Sequence, residues 1–254
     1  MNGKIFCPAA VMTAFCILVC GCSEPVVPVG TLLNQAADKA SEGDWTGADQ
    51  LAKRVLKQEK NNVDALMIRA LARNNLDSRN EAAEYAILAA KLKPDHFLPH
   101  YIRGMILSKN GKPDLALRAL KEARRFRPDD VNTLILLAEN SIAVKRYKEA
   151  AGYFKLLAGH QEYRTSPYLW NGLGICYTAS SPQMALRFFR MAERYAPNDP
   201  VTVLNLAILH DSYLRQESNA RHYYEQFLRI AAGKAEYDVI RSRAELRLDS
   251  IKGR

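Results

Sequence analysis

Apolar positions recur along most of this chain at helical spacing, in short blocks that come in pairs. The clearest pair lies between Phe97 and Asp130. Its pattern predicts a helix from about His100 to Ser108, with Tyr101, Met105 and Leu107 among the apolar positions. Lys109-Asn110-Gly111-Lys112-Pro113-Asp114 then interrupts it. Gly111 suits a C-cap with positive φ, Pro113 suits a first helical turn, and Asp114 places an acid near a helix start. The second predicted helix carries Leu115, Ala116, Ala119, Leu120, Ala123 and Phe126, and ends by Pro128. Gly104, Ala116 and Ala123 allow close helix approach, while Leu120 and Phe126 fill the seam. A hairpin this short cannot bury both faces alone, so it needs copies of itself on either side.

Such copies are present. Pro94 to Pro128 is one 34-residue step. Blocks at about 31–62, 63–96, 97–130, 131–164 and 166–199 share the pattern, and a sixth begins near Pro200. The first lacks a closing Pro and is degenerate, as terminal repeats often are. A last amphipathic helix, from about Lys234 to Ser250, places Tyr237, Ile240, Ala244, Leu248 and Ile251 on one stripe. The repeating unit resembles a tetratricopeptide repeat (TPR). In that family's frame Gly104, Ala116, Leu120, Ala123 and Pro128 fall on positions 8, 20, 24, 27 and 32. Trp170, Leu173, Gly174 and Tyr177 stand at the signature spacings of a first helix. The resemblance implies an all-α, right-handed superhelix of about six helix-turn-helix repeats with a C-terminal capping helix.

The start of the chain follows a different pattern. Met1 to Lys4 is short and positively charged. Ile5 to Val19 is apolar apart from Pro8 and Thr13. That run is shorter than the roughly 20 residues of a spanning helix and fits the apolar core of a secretory signal. Val19-Cys20-Gly21-Cys22-Ser23 follows, and resembles the bacterial lipobox. The resemblance implies a signal peptide over 1–21 and lipidation, palmitate included, at Cys22. Acyl chains there contribute about 0.8 kcal/mol per buried CH₂. Residues 22–30 then form a proline-containing tether, 31–233 the repeats and 234–254 the cap. In the lipoprotein family's sorting rule Ser23 implies the outer membrane, with the folded part on its periplasmic face.

Composition narrows the chemistry. The chain has 254 residues and is 48% hydrophobic, enough for a sizeable core. Net charge is +9, but the cations are spread along helices with no run of five or more. They read as solvated helix faces, and no nucleic-acid partner is expected. The densest group is Arg118, Lys121, Arg124, Arg125 and Arg127, tempered by Glu122 and Asp129-Asp130. Four of five cysteines crowd the first segment, which excludes a disulfide framework. Cys176 reads as a small buried hydrophobe. His96 and His100 are four apart but lack a third ligand, so they read as surface polar residues rather than a metal site. His210-Asp211-Ser212 cannot form a relay, because adjacent helical residues diverge. No phosphate loop, paired-cysteine motif or nucleophile elbow is present. No enzyme activity, metal or cofactor is expected.

In TPR arrays the first helices line a concave groove, and positions 2, 5 and 9 face it. Carried over by frame, these positions imply a peptide-binding groove of Met67, Leu71, Leu98, Tyr101, Met105, Asn132, Ile135, Glu139, Tyr168, Asn171 and Ile175. Asp64, Val201, Leu204 and Ile208 extend it. The surface suits an apolar peptide whose backbone bonds the asparagines. It lacks the Lys and Asn of a carboxylate clamp. The layout of lipobox, tether and about six repeats resembles the TPR lipoproteins of pilus and secretin assembly. It implies a scaffold for envelope complexes. An adaptor for peptidoglycan hydrolases or outer-membrane protein assembly is the alternative. Cys22→Ser is expected to leave the chain unlipidated and release it from the membrane fraction; unchanged fractionation refutes the anchor.

Overall fold

The computed structural model describes residues 27–252, and thirteen α-helices account for most of them. Six hairpins stack in sequence. They are α1 (Val29–Ser41) with α2 (Trp45–Gln58), α3 (Val63–Asn75) with α4 (Arg79–Leu92), and α5 (Phe97–Lys109) with α6 (Pro113–Phe126). Then come α7 (Val131–Ala143) with α8 (Tyr147–Leu157), α9 (Pro167–Tyr177) with α10 (Pro182–Tyr195), and α11 (Pro200–Ile208) with α12 (Glu217–Ile230). α13 (Asp238–Lys252) packs on α12 and closes the stack. Each second helix also packs on the first helix of the next repeat. This is the all-α TPR solenoid expected from the period.

The turns explain why the period holds. Gly43, Asp77, Gly111 and Lys145 stand 34 residues apart, and all four have φ between 56° and 79°. At each, the next residue's N–H reaches back five residues: Asp44 to Lys39, Ser78 to Arg73, Lys112 to Leu107 and Arg146 to Ser141, at 2.8–3.0 Å. These bonds satisfy carbonyls left open by the first helix. Glycine marks two of the turns in the sequence. Asp77 and Lys145 adopt the same left-handed conformation without glycine, because the packed hairpin demands it. First helices are capped from the preceding link: Asn62 accepts from Ala65, Asp130 from Thr133 and Asp199 from Thr202.

Packing inside each hairpin follows one rule, a small residue facing a buried one. A Cβ on Gly104 would lie 2.5 Å from Leu120, and one on Gly174 would lie 2.3 Å from the Phe189 ring. Leu120, Phe154, Phe189 and Phe227 are all buried. α5 starts at Phe97, not His100, because Pro99 lies in the first turn, where no N–H is needed. In α13, Ala244, Leu248 and Ile251 are buried as the stripe requires, whereas Ile240 stays exposed. The cap is held by Arg247, which gives two hydrogen bonds (2.6 and 2.7 Å) to Asp211 at the far end of repeat six.

Repeats one and two have a thin core of alanines, and a buried ion cluster joins them. Asp49 in α2 accepts from Arg69 at 2.9 Å and Arg73 at 2.6 Å in α3. Arg69 also stacks on Tyr85. Burial pushes the Asp49 carboxyl upward, but hydrogen bonds from Arg73 and Arg69 outweigh it, and its value lies below the ordinary 3.8. The folded-state value is the lower one. The stabilisation is therefore full above the ordinary carboxylate range and is lost as pH falls through the folded-state value. Asp49→Asn leaves buried Arg69 without an acid and Arg73 with Glu81 alone, and is expected to destabilise by roughly 3–5 kcal/mol. Thermal melts should show this loss at neutral pH and a flatter acid limb below about pH 4.

Candidate functional site

The first helices form one wall of the solenoid. α1 touches α3, α3 touches α5, α5 touches α7, and α9 touches α11. The α7–α9 pair stands further apart than these. The cause lies in the link after α8, where a short 3₁₀ turn (Gln161–Tyr163) is inserted before α9. Arg164 bonds back to the carbonyls of Ala158 and Gly159, and the Trp170 indole donates to Arg164 O at 2.8 Å. The insertion is thus pinned on both sides.

A concavity of about 460 Å³ opens where the wall parts. It falls within the roughly 300–1,000 Å³ typical of ligand pockets. Its lining comes from α7 (Glu139, Ile142), α8 (Phe154), α9 (Pro167, Tyr168, Asn171, Gly172, Ile175) and the start of α11 (Asp199, Val201). Phe154 forms part of the floor, with Tyr168 edge-on to it at 5.8 Å. The Tyr168 hydroxyl donates to Glu139 Oε1 at 3.0 Å, bridging α9 to α7. Burial, and then the Glu139 charge, raise the Tyr168 phenol above its ordinary value.

The structure divides the frame-derived groove residues into groups. Glu139, Tyr168, Asn171 and Ile175 meet in this concavity. Met67, Leu71, Tyr101 and Met105 lie half-buried along the seam of repeats two and three. Ile135 is partly buried against the central core. Leu98 and Asn132 are exposed. Asn171 departs from its expected role as a free backbone binder. It is only 6% exposed. Its amide donates to Thr202 Oγ1 at 2.7 Å and Asp199 Oδ2 at 3.3 Å, while its oxygen accepts from Asn205 at 3.2 Å. A buried amide must be satisfied, and its nearest partners are in the next repeat.

Ile142, Phe154, Gly172 and Asp199 line the concavity without having been among the frame-derived groove residues. Ile142 was legible, since it continues the Ile135–Glu139 face of α7 at helical spacing. Phe154 and Gly172 were not, because their contact crosses from one repeat to the next.

The other candidates become structural. His100 is buried, not a surface residue, and its Nε2 lies 2.7 Å from Pro94 O. Among the described residues no group of three or more His, Cys, Asp or Glu could hold a metal ion. Cys176 is buried, and that burial pushes its thiol up to about 12. In the basic group Lys121 pairs with Glu149 and Arg125 with Glu122, while Arg124 and Arg127 lie over the rings of Tyr153 and Phe97. Among the described residues no helix is long and apolar enough to cross a membrane.

No protein-family model and no curated protein matches the sequence. Solved structures do match the backbone. YrrB, a TPR protein with an unusual peptide-binding site, superposes with a TM-score of 0.63 at 16% identity, covering 69% of this chain and 90% of YrrB. MamA gives 0.60 at 18%, covering 67% and 92%. PilF of Pseudomonas aeruginosa gives 0.62 at 16%, covering 85% and 97%. The fold is a TPR solenoid.

Gly172 offers a direct test of the site's geometry. A Cβ there would lie 2.2 Å from the Phe154 ring. Phe154 borders the concavity, so its ring must move into that space. Gly172→Ala is expected to destabilise by about 1–3 kcal/mol through overpacking, despite the roughly 1 kcal/mol that alanine gains in a helix. Denaturant unfolding measures this, and an unchanged midpoint refutes the close contact.

Proposed function

We propose that this chain is a lipid-anchored periplasmic scaffold that holds protein partners in its concave wall during assembly of envelope complexes. One observation carries the reading: an open, largely apolar concavity of about 460 Å³ on the inner wall, where repeats four, five and six meet. A TPR array that only stacked would close this seam. Here an inserted turn holds it open, and apolar surface remains available to a protein segment.

The anchor is supported by sequence. Gly21-Cys22 closes the apolar run, and few residues separate Cys22 from α1 at Val29. A tether so short keeps the array near the bilayer surface. Pilus and secretin biogenesis is the specific pathway we favour. Its supports are the order of lipobox, tether and about six repeats, and the likeness of the backbone to PilF over 85% of this chain. At 16% identity that likeness concerns the fold, so the pathway rests on layout.

Affinity capture of the lipidated chain from solubilised envelopes, read by mass spectrometry, tests this function. Secretin or pilus components are the expected catch; hydrolases without them overturn the pathway. Tyr101→Ala combined with Tyr168→Ala is expected to lower partner recovery several-fold at unchanged helical content. Loss of helical signal would instead place both tyrosines in the core.

A further inference from the structure

The distribution of charge along the inner wall is uneven, and it points to a class of partner. The chain holds 36 Lys and Arg against 27 Asp and Glu. None of those cations lies in α7, α9 or α11. Glu139 is the one charged residue of these three helices. The adjoining second helices carry Lys148, Lys155, Arg187, Arg190, Arg194, Arg221 and Arg229 instead. Around the concavity the positive charge is therefore on the outer helices, and the inner wall keeps acid alone.

Glu139 is placed to be read by a ligand. It is exposed at the cavity rim. Oε1 accepts from Tyr168, and Oε2 is available. Among the described residues Glu139 has no ion-pair partner, whereas Glu149 is met by Lys121 and Arg146, and Asp114 by Arg146. Asp199 adds a second carboxylate on the same lining. Its Oδ2 caps α11 and meets Thr202 and Asn171. Beneath these acids the floor is apolar: partly exposed Ile142 and Ile175 and exposed Val201, with buried Phe154 behind them. Val201 is 45% exposed, so this surface is not sealed by the fold itself.

We propose that this concavity takes a bulky apolar side chain of a protein segment in which Lys or Arg stands beside that side chain. The inference rests on the groove reading above and names the chemistry of its occupant. The apolar side chain covers the floor that water now meets. The neighbouring cation reaches Glu139 at the rim, where a low-dielectric wall strengthens a charge pair. An acidic segment meets two carboxylates and no cation, so the site discriminates by repulsion as well as attraction.

The whole-molecule charge makes the test discriminating, because a chain of net +9 attracts acidic peptides without specificity. The lipidated full chain in neutral detergent is titrated, by fluorescence anisotropy, with labelled Gly/Ser peptides carrying a central Lys-Phe-Lys, Glu-Phe-Glu or Lys-Ser-Lys. Lys-Phe-Lys is expected to bind at least roughly tenfold more tightly than the other two. Glu139→Gln should remove most of that preference and Glu139→Lys should invert it, with circular dichroism unchanged. Ile175→Ser should weaken Lys-Phe-Lys and leave Lys-Ser-Lys unaffected. Equal or tighter binding of Glu-Phe-Glu, insensitive to Glu139, overturns the inference and leaves a peptide groove standing. Absence of binding by all three peptides, with captured partners crosslinked only to the outer helices, overturns the groove reading itself. Self-association that Glu139→Lys abolishes makes a second copy the occupant, and also overturns the inference.

Discussion

The structure depends on one steric constraint, repeated along the chain. A small residue on each first helix lets the second helix approach, and a buried side chain on the second helix fills the seam. Ala36, Ala70, Gly104, Ala138, Gly174 and Ala207 hold the first position, and all are buried. Ala52, Ala86, Leu120, Phe154, Phe189 and Tyr224 hold the second, and they grow in size along the array. The N-terminal hairpins are thus closed by alanine on alanine, the C-terminal ones by phenylalanine or tyrosine on alanine or glycine. Interiors at crystal-like packing density leave little slack in such pairs. The spacing of the two helices follows, and with it the placement of every other side chain.

Regularity and function are divided between different parts of the chain. The 34-residue step, with its left-handed turn residue and its bond five residues back, makes repeats interchangeable. It stacks them but offers nothing distinctive. The irregular links supply the distinction. The 3₁₀ insertion after α8 parts α7 from α9 and opens the concavity. A π-helical turn (Leu209–Tyr213) after α11 buries His210, which bonds Gln216, and presents Asp211 to the cap. Both departures are pinned by hydrogen bonds, so they are built features of the fold.

Polar groups inside the stack set which repeat meets which. Asp49 with Arg69 and Arg73 joins repeats one and two, where alanines supply little apolar area. Asn171 with Thr202, Asp199 and Asn205 joins repeats five and six. A mispaired neighbour would leave these groups buried and unsatisfied, a penalty larger than the net gain of the bonds themselves. Glu139 accepts from Tyr168 across repeats four and five but has no ion-pair partner among the described residues, unlike Asp49.

Most of the architecture was legible in the sequence. The period, the glycines of two turns, the helix-starting prolines and the alternation of small and large residues are local signals, read without knowing the partner of any residue. The expected signal peptide and the Gly21-Cys22 pair lie outside the described residues. The groove was legible only as a list of frame positions. Tertiary structure decided which of them face open space, because exposure depends on how far apart neighbouring repeats stand. It withdrew Asn171 into a network with the next repeat and buried His100 against Phe126. It also placed Phe154 of one repeat beneath Gly172 of the next. The sequence determined the repeating hairpin, since helices and turns form from near neighbours. The fold decided the shape of the site, since it lies between repeats and its defining contacts, Tyr168 with Glu139 and Gly172 with Phe154, each span two of them.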